Sequence, residues 1–277
     1  MVPVFATQPP ELSTYRLSFP ARYVLQVTID RESRMNAIPV SGHWEGERLW
    51  EWFDNESSLR VAIVTGQGRR AFCSGADLKE LLQLNQSSKE LLTSHFPTGG
   101  FMGLSRRLGK KPVIAAVNGF ALGGGFEVAL NCDMVVASPS ATFELPEVKR
   151  GLWAAAGGIP RLVRTFGMQT ASEIALAGKV LSANEAQRHG FCRVSASPEA
   201  MTQDAISLAV NVASMSPDAI VVSRAGLRET WETASVERAA QLVQERYAKG
   251  LLEGDNLRIG LMAFAAKTNP EFVPSNL

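Results

Sequence analysis

Glu127 follows three consecutive glycines, Gly123 to Gly125, in the stretch AVNGFALGGGFEVALNCD (residues 116–133). An apolar run that ends in glycines and resumes as FEVALNC reads as a buried strand followed by a helix. The first turn of a helix carries unpaired N–H groups and a partial positive charge. Glycine there lets a ligand approach the backbone. An oxyanion donor beside an ionisable acid is the equipment for enolate chemistry.

A second candidate donor lies in AFCSGADLKE (residues 71–80), directly after the apolar run VAIVTG. The small residues Cys73 to Ala76 precede an expected helix start at Ala76 or Asp77. N–H groups near Ala76 and Gly124, from separate strand-to-helix turns, can clamp one carbonyl oxygen. An ordinary tight turn explains AFCSGADLKE equally well when it is taken alone. A third group lies in ATFELPEVKRGLWAAAGGIPRL (residues 141–162), where Glu144 and Glu147 precede a small-residue run. A carboxylate before such a segment is a candidate acid or base with a raised pKa. Periodicity does not select Glu147 over Glu144.

Positioning these groups requires strands that alternate with helices. Tyr23, Leu25, Val27 and Ile29 alternate with more polar neighbours and predict a strand. Residues 61–66, 112–118 and 134–138 predict three more. Helices are expected over 41–53, 77–92 and 124–132, so the fold class is α/β. Ser182 and Glu185 form a capping-box signature, and helical segments dominate from there onward, with a break near Pro217. The expected organisation is an N-terminal arm over 1–14, an α/β core over 15–195 and a helical region over 196–277.

Bulk properties narrow the function classes. The chain has 277 residues, 45% of them hydrophobic, with a net charge of +1. That balance argues against a nucleic-acid partner bound through a broad basic face. No apolar run reaches the length needed to cross a bilayer, so no membrane partner is expected. Cys73, Cys132 and Cys192 are far apart and odd in number, which points to a reducing compartment. The N-terminus has neither a secretory signal pattern nor an Arg before Arg16. His43, His95 and His189 lack metal-ligand spacing and read as turn or surface residues, so no metal is expected. Gly66-Gln-Gly68-Arg-Arg-Ala71 matches a loose dinucleotide pattern, but AFCSG replaces the helix that such a site requires.

Together the constellations resemble the enoyl-CoA hydratase/isomerase (crotonase) family from about Tyr15 to Phe272. RESRMNAI, AFCSGADLKE, AVNGFALGGGFEVALNCD, ATFELPEVKRGL and DNLRIGLMAFAAK occur in the family's order. The resemblance implies a crotonase-like spiral of ββα units with a C-terminal helical trimerisation region, assembled as a homotrimer or homohexamer. It implies an acyl-CoA thioester substrate and no separate cofactor, since coenzyme A is part of the substrate. By motif position, Ala76 and Gly124 supply the oxyanion hole, and Glu127 and Glu147 act on one water in a hydratase. A double-bond isomerase of the same fold, needing chiefly one base, is the alternative; a non-catalytic acyl-CoA- or RNA-binding scaffold is a third reading. Arg34, Ser74, Lys79, Trp153 and Lys267 are the candidate substrate-binding residues, with the three cations aimed at CoA phosphates and Lys267 reaching them from a neighbouring subunit.

Departures from the family pattern sit at Glu144, Leu145, Phe126 and Trp153 to Ala156, and they are expected to alter the acyl pocket. The C-terminal Ser-Asn-Leu resembles a peroxisomal address with Asn in the basic position. It gives a peroxisomal expectation beside cytoplasmic and mitochondrial alternatives.

Overall fold

The computed structural model describes residues 4–80, 82, 96–233 and 235–277. Among the described residues, ten strands form two sheets: β1 (Tyr15–Ala21), β2 (Val24–Ile29), β3 (Val61–Gly66), β4 (Ala71–Cys73), β5 (Val113–Val117), β6 (Phe120–Leu122), β7 (Met134–Ala137), β8 (Thr142–Glu144), β9 (Leu181–Ser182) and β10 (Arg193–Val194). The larger sheet has the order β1-β2-β3-β5-β7-β10, and the smaller has β4-β6-β8-β9. From β3 to β8 the chain alternates between them, delivering one strand to each sheet in turn. Equivalent turns therefore stack side by side, and this spiral brings the β4 and β6 exits together.

The described helices are α1 (Val40–Asn55), α2 (Gly124–Asn131), α3 (Gly158–Ala177), α4 (Ala183–Arg188), α5 (Ala200–Ser214), α6 (Pro217–Glu232), α7 (Val236–Glu253) and α8 (Asp255–Ala266). The strands predicted over 61–66, 112–118 and 134–138 form, and α1 extends the helix expected over 41–53 by a few residues. The expected helix over 77–92 begins, with residues 78–80 and 82 helical, and its remainder lies outside the described residues. So does His95.

The alternation expected around Val27 is absent. Val24, Leu25, Val27, Thr28 and Ile29 are all buried. The strand is internal to a sheet covered on both faces, which favours continuous apolar sequence over alternation. One face packs on α5, where Val24, Val61, Ile63, Ile114 and Val136 meet Met201, Ala205 and Ala209. The other closes on the main core around Trp50, Phe53, Phe72 and Phe126. The loop after β3 leads into strand β4 and not into a helix, so the dinucleotide pattern has no phosphate-binding helix behind it. Ser182 caps α4 as its sequence predicted, with Ser182 and Glu185 satisfying each other's backbone donors.

The C-terminal helices are joined to the sheet by charge. Asp133, beside β7, takes ion pairs from Arg224 at 3.0 Å and Arg228 at 2.9 Å, both on α6. Burial alone would raise the Asp133 carboxyl, but the two guanidinium groups hold it below its ordinary range. No single described helix is long and apolar enough to cross a membrane. The three cysteines are free, and among the described residues no cluster of acids, histidines and cysteines could hold a metal.

Candidate active site

The β4 exit is shaped by the RESRMNAI segment. Ile38 donates its N–H to Gly75 O at 2.9 Å and accepts from Asp77 N–H at 3.0 Å. This isolated parallel bridge between Ile38 and Ala76 pins the chain on either side of Ala76. It leaves the Ala76 N–H without an acceptor among the described residues. Arg31 ties down the same corner through Asp77 at 3.3 Å.

The β6 exit is the glycine triplet. Gly123 takes φ 55°, ψ −124° and caps α2. An L-residue pays strain for that conformation, so glycine belongs there. Its N–H donates to Glu144 O at 2.9 Å, on the neighbouring strand β8. Gly124 N–H is then the first helical donor, with no helical carbonyl to receive it. A Cβ built on Gly75 would stand 3.7 Å from Gly124 N, so the two turns approach closely.

Helix geometry separates neighbours in α2. Successive residues point about 100° apart, so Phe126 and Glu127 face different environments. Phe126 turns into the core against Phe143, Phe166 and Phe191, at centroid distances of 5.3, 6.3 and 5.7 Å. It does not shape the acyl pocket, contrary to the sequence expectation. Leu145 is likewise core. Glu127 is only 3% exposed and lines the cavity, with Oε1 accepting from Gly158 N–H at 2.8 Å.

The structure separates the two acids that periodicity left equivalent. Glu144 ion-pairs with Lys149, whereas Glu147 lines the cavity with Glu127. Glu147 Oε2 is buried without a hydrogen-bond partner among the described residues. Burial pushes Glu127 up to about 7; the Gly158 N–H offsets part of this, and the Glu147 charge adds to it. Burial also raises Glu147 above its ordinary value, and Glu144 raises it further.

The cavity holds about 170 Å³. Ser74, Ala76, Gly124, Glu127, Glu147 and Trp153 all line it. Arg34, Lys79 and Lys267 do not: each is solvent-exposed, and Lys267 caps the far end of α8. Of the departures from the family pattern, Trp153 and Ala155 reach this cavity. Both also border a second, open cleft beside it.

His43 corrects the surface reading. It is 2% exposed on α1, between the rings of Phe96 and Phe101, and it lines the cavity. Its Nδ1 accepts from Met102 N–H at 3.2 Å, which leaves the neutral ring's proton on Nε2. Its helical spacing to the buried Gly46, Trp50 and Phe53 was the available signal. His189, by contrast, is an exposed helix-end residue as expected. The Gly158 donor was also missed, although the AAAGG run pointed to the segment that carries it.

Ala76 and Gly124, at two backbone turns, thus line one cavity with two carboxyls that burial raises. The profile of the enoyl-CoA hydratase/isomerase family matches residues 21–274, and this chain belongs to that family. It is 46% identical over 262 residues to the mevalonyl-coenzyme A hydratase of Aspergillus fumigatus, covering 94% of this chain and 95% of that one. It is 42% identical over 279 residues to the Beauveria bassiana mevalonyl-coenzyme A hydratase, covering 99% of both. The carnitinyl-CoA dehydratase of Proteus mirabilis is 36% identical over 253 residues, covering 90% of this chain and 94% of that one. Among solved structures, an enoyl-CoA hydratase from Bacillus anthracis superposes with a TM-score of 0.85 at 28% identity, covering 94% of this chain and 99% of its own. The fold is the crotonase fold, and the chain is a CoA-thioester enzyme of the hydratase/dehydratase type.

Proposed function

We propose that this enzyme interconverts a 3-hydroxyacyl-CoA and its 2-enoyl-CoA, and that its acyl group is short, branched and polar at its far end, as in mevalonyl-CoA. The observation that carries the reading is the meeting of Glu127, Glu147 and the N–H groups of Ala76 and Gly124, without acceptors among the described residues, around one cavity. Two mevalonyl-coenzyme A hydratases among the relatives support the acyl assignment. The buried His43 sets a polar group among apolar walls from Ile38, Phe101 and Leu152.

In hydration, the thioester oxygen sits between the Ala76 and Gly124 N–H groups, and negative charge gathers on it as water adds. Each such donor contributes roughly 3–4 kcal/mol to lowering the barrier. Glu127, as carboxylate, takes a proton from the water whose oxygen bonds to C3. Glu147, as acid, gives its proton to C2. Proton exchange between the two carboxyls then restores the starting state. Dehydration reverses each transfer: Glu147 removes the C2 proton, and Glu127 protonates the departing C3 hydroxyl. One carboxyl must be ionised while the other is protonated, and two carboxyls raised by burial, with the Glu147 charge acting on Glu127, suit that division.

The test is a substrate panel read by mass spectrometry, with mevalonyl-CoA, carnitinyl-CoA, crotonyl-CoA and a 3-enoyl-CoA. Fastest turnover is expected as loss of water from mevalonyl-CoA. Preference for crotonyl-CoA would overturn the acyl assignment, and preference for the 3-enoyl-CoA would overturn hydration in favour of isomerisation.

A further inference from the structure

The carboxylate of Glu127 is held by a turn that has no side-chain chemistry of its own. Ala156, Gly157 and Gly158 lead into α3, and Gly158 N–H donates to Glu127 Oε1 at 2.8 Å. A Cβ on Gly158 would stand 2.6 Å from Glu127 Cγ, so the acid lies flat against this backbone. On the other side, Arg161 donates from its NH1 to Gly157 O at 2.9 Å. A Cβ on Gly157, whose φ is +97°, would stand 2.4 Å from that nitrogen. The two glycines are thus a thin plate with Glu127 on one face and a guanidinium on the other.

Arg161 is itself anchored. Its Nε donates to Asn131 Oδ1 at 2.9 Å, at the last turn of α2, the helix that carries Glu127. The same oxygen accepts from Arg228 at 2.7 Å, and Asn131 Nδ2 donates to Leu104 O at 2.6 Å. Ser105 Oγ holds the turn's first carbonyl, Ala156 O, at 2.8 Å. The bridge from Arg161 therefore closes a ring: Glu127, the glycine plate, Arg161, Asn131 and back along α2.

We propose that Arg161 is a positioning residue for Glu127, bracing the Gly157–Gly158 plate against α2 so that the carboxylate keeps one orientation toward the water it activates. The inference rests on the assignment of Glu127 as the base. Arg161 also faces Glu127 as a cation and favours its ionised form. From the other elements around the cavity, Glu147 and Arg150 lie in the turn after strand β8, and Glu144, at the end of β8, acts on Glu147. His43 lies on α1, and Asp77 and Glu80 lie beyond β4. Loss of the Arg161 charge therefore raises the Glu127 pKa and moves the acidic limb of the rate profile upward.

The experiment compares wild type with Arg161→Lys, Arg161→Gln, Glu127→Gln and the Glu127→Gln/Arg161→Gln double variant. For Arg161→Gln, kcat is expected to fall about 10–100-fold with KM within about threefold. Its acidic limb should move up by roughly half a pH unit or more, whereas Arg161→Lys keeps the limb near its wild-type place. In the Glu127→Gln background the second substitution should cost less than about threefold. An unmoved limb, or an additive loss in the double variant, would overturn the proposal and leave Arg161 a fold-stabilising residue. An infrared titration of the Glu127 carboxyl, assigned by subtracting Glu127→Gln, needs no substrate. A pKa that rises in Arg161→Gln while Glu127→Gln keeps wild-type turnover would sustain the brace and sink the assignment of Glu127 as base. Thermal melts of each variant separate folding losses from these readouts. If Arg161→Gln fails to fold, Arg161→Lys carries the test through its kcat, which should then fall with KM unchanged.

Discussion

Glu147 lies over Gly123 so closely that a Cβ on the glycine would stand 2.9 Å from Glu147 Oε1. The backbone that opens α2 and the carboxyl proposed to protonate C2 thus lie side by side. Space for the acid exists because residue 123 has no side chain.

Gly123→Ala meets two penalties, the contact with Glu147 and a φ of 55°. We expect a stability loss of about 1–3 kcal/mol. We also expect a fall in kcat approaching 10²-fold, because the acid is displaced by a fraction of an ångström to an ångström. Urea denaturation and steady-state kinetics check the two effects separately. Wild-type turnover in a destabilised variant would place Glu147 outside the chemistry.

Single replacements of Glu127 and Glu147 by Gln should each lower hydration by about 10²–10⁴-fold while leaving the fold intact. The measure is initial rate at saturating substrate, with circular dichroism as the folding control. Substantial activity in either variant would end the two-glutamate mechanism.

Burial gives Glu127 a stability signature independent of catalysis. Its folded pKa, about 7, lies above the ordinary 4.5. A raised folded pKa stabilises fully below the unfolded value, and that contribution is lost as pH rises through the folded one. Glu127→Gln cannot ionise and escapes the loss. Its melting temperature relative to wild type should therefore climb between pH 4.5 and about 7 and then level off. A difference that is flat across this window would show that the carboxyl titrates normally.

Asp133 has the opposite sign. Its side chain is 14% exposed and pairs with Arg224, which is 6% exposed. Its pKa is lowered despite burial, so the stability it brings is present above the unfolded pKa and is lost as pH falls through the folded one. Asp133→Asn leaves two cations facing a neutral amide and should cost about 3–5 kcal/mol at neutral pH. The cost should shrink toward strongly acidic pH. Guanidinium denaturation at two pH values measures both.

Much of the site could be read along the chain because its parts are local. Glycines at Gly123 to Gly125, small residues before Ala76, and Ser182 with Glu185 each announce a turn or cap through backbone sterics and short-range hydrogen bonds. Strands such as Val61–Gly66 announce themselves by continuous apolar sequence. Other features required folded neighbours. Whether Glu144 or Glu147 enters the cavity depends on Lys149 taking one of them and on the open space above Gly123. His43 keeps helical spacing with Trp50 and Phe53, but its packing with Phe96 and Phe101 is what seats it beside the cavity. Phe126, next to the acid in sequence, is carried into the core by the pitch of α2.

The sequence by itself determined the family, four strands of the larger sheet with helices between them, and the two backbone turns proposed to bind an oxyanion. These follow from residue type over a few positions. Tertiary structure decided which acid faces which, how far burial raises their pKa values, and how Arg161 reaches across Gly157 to the helix bearing Glu127. Desolvation and contacts between residues tens of positions apart have no local signature, because they exist only once the spiral has stacked its turns.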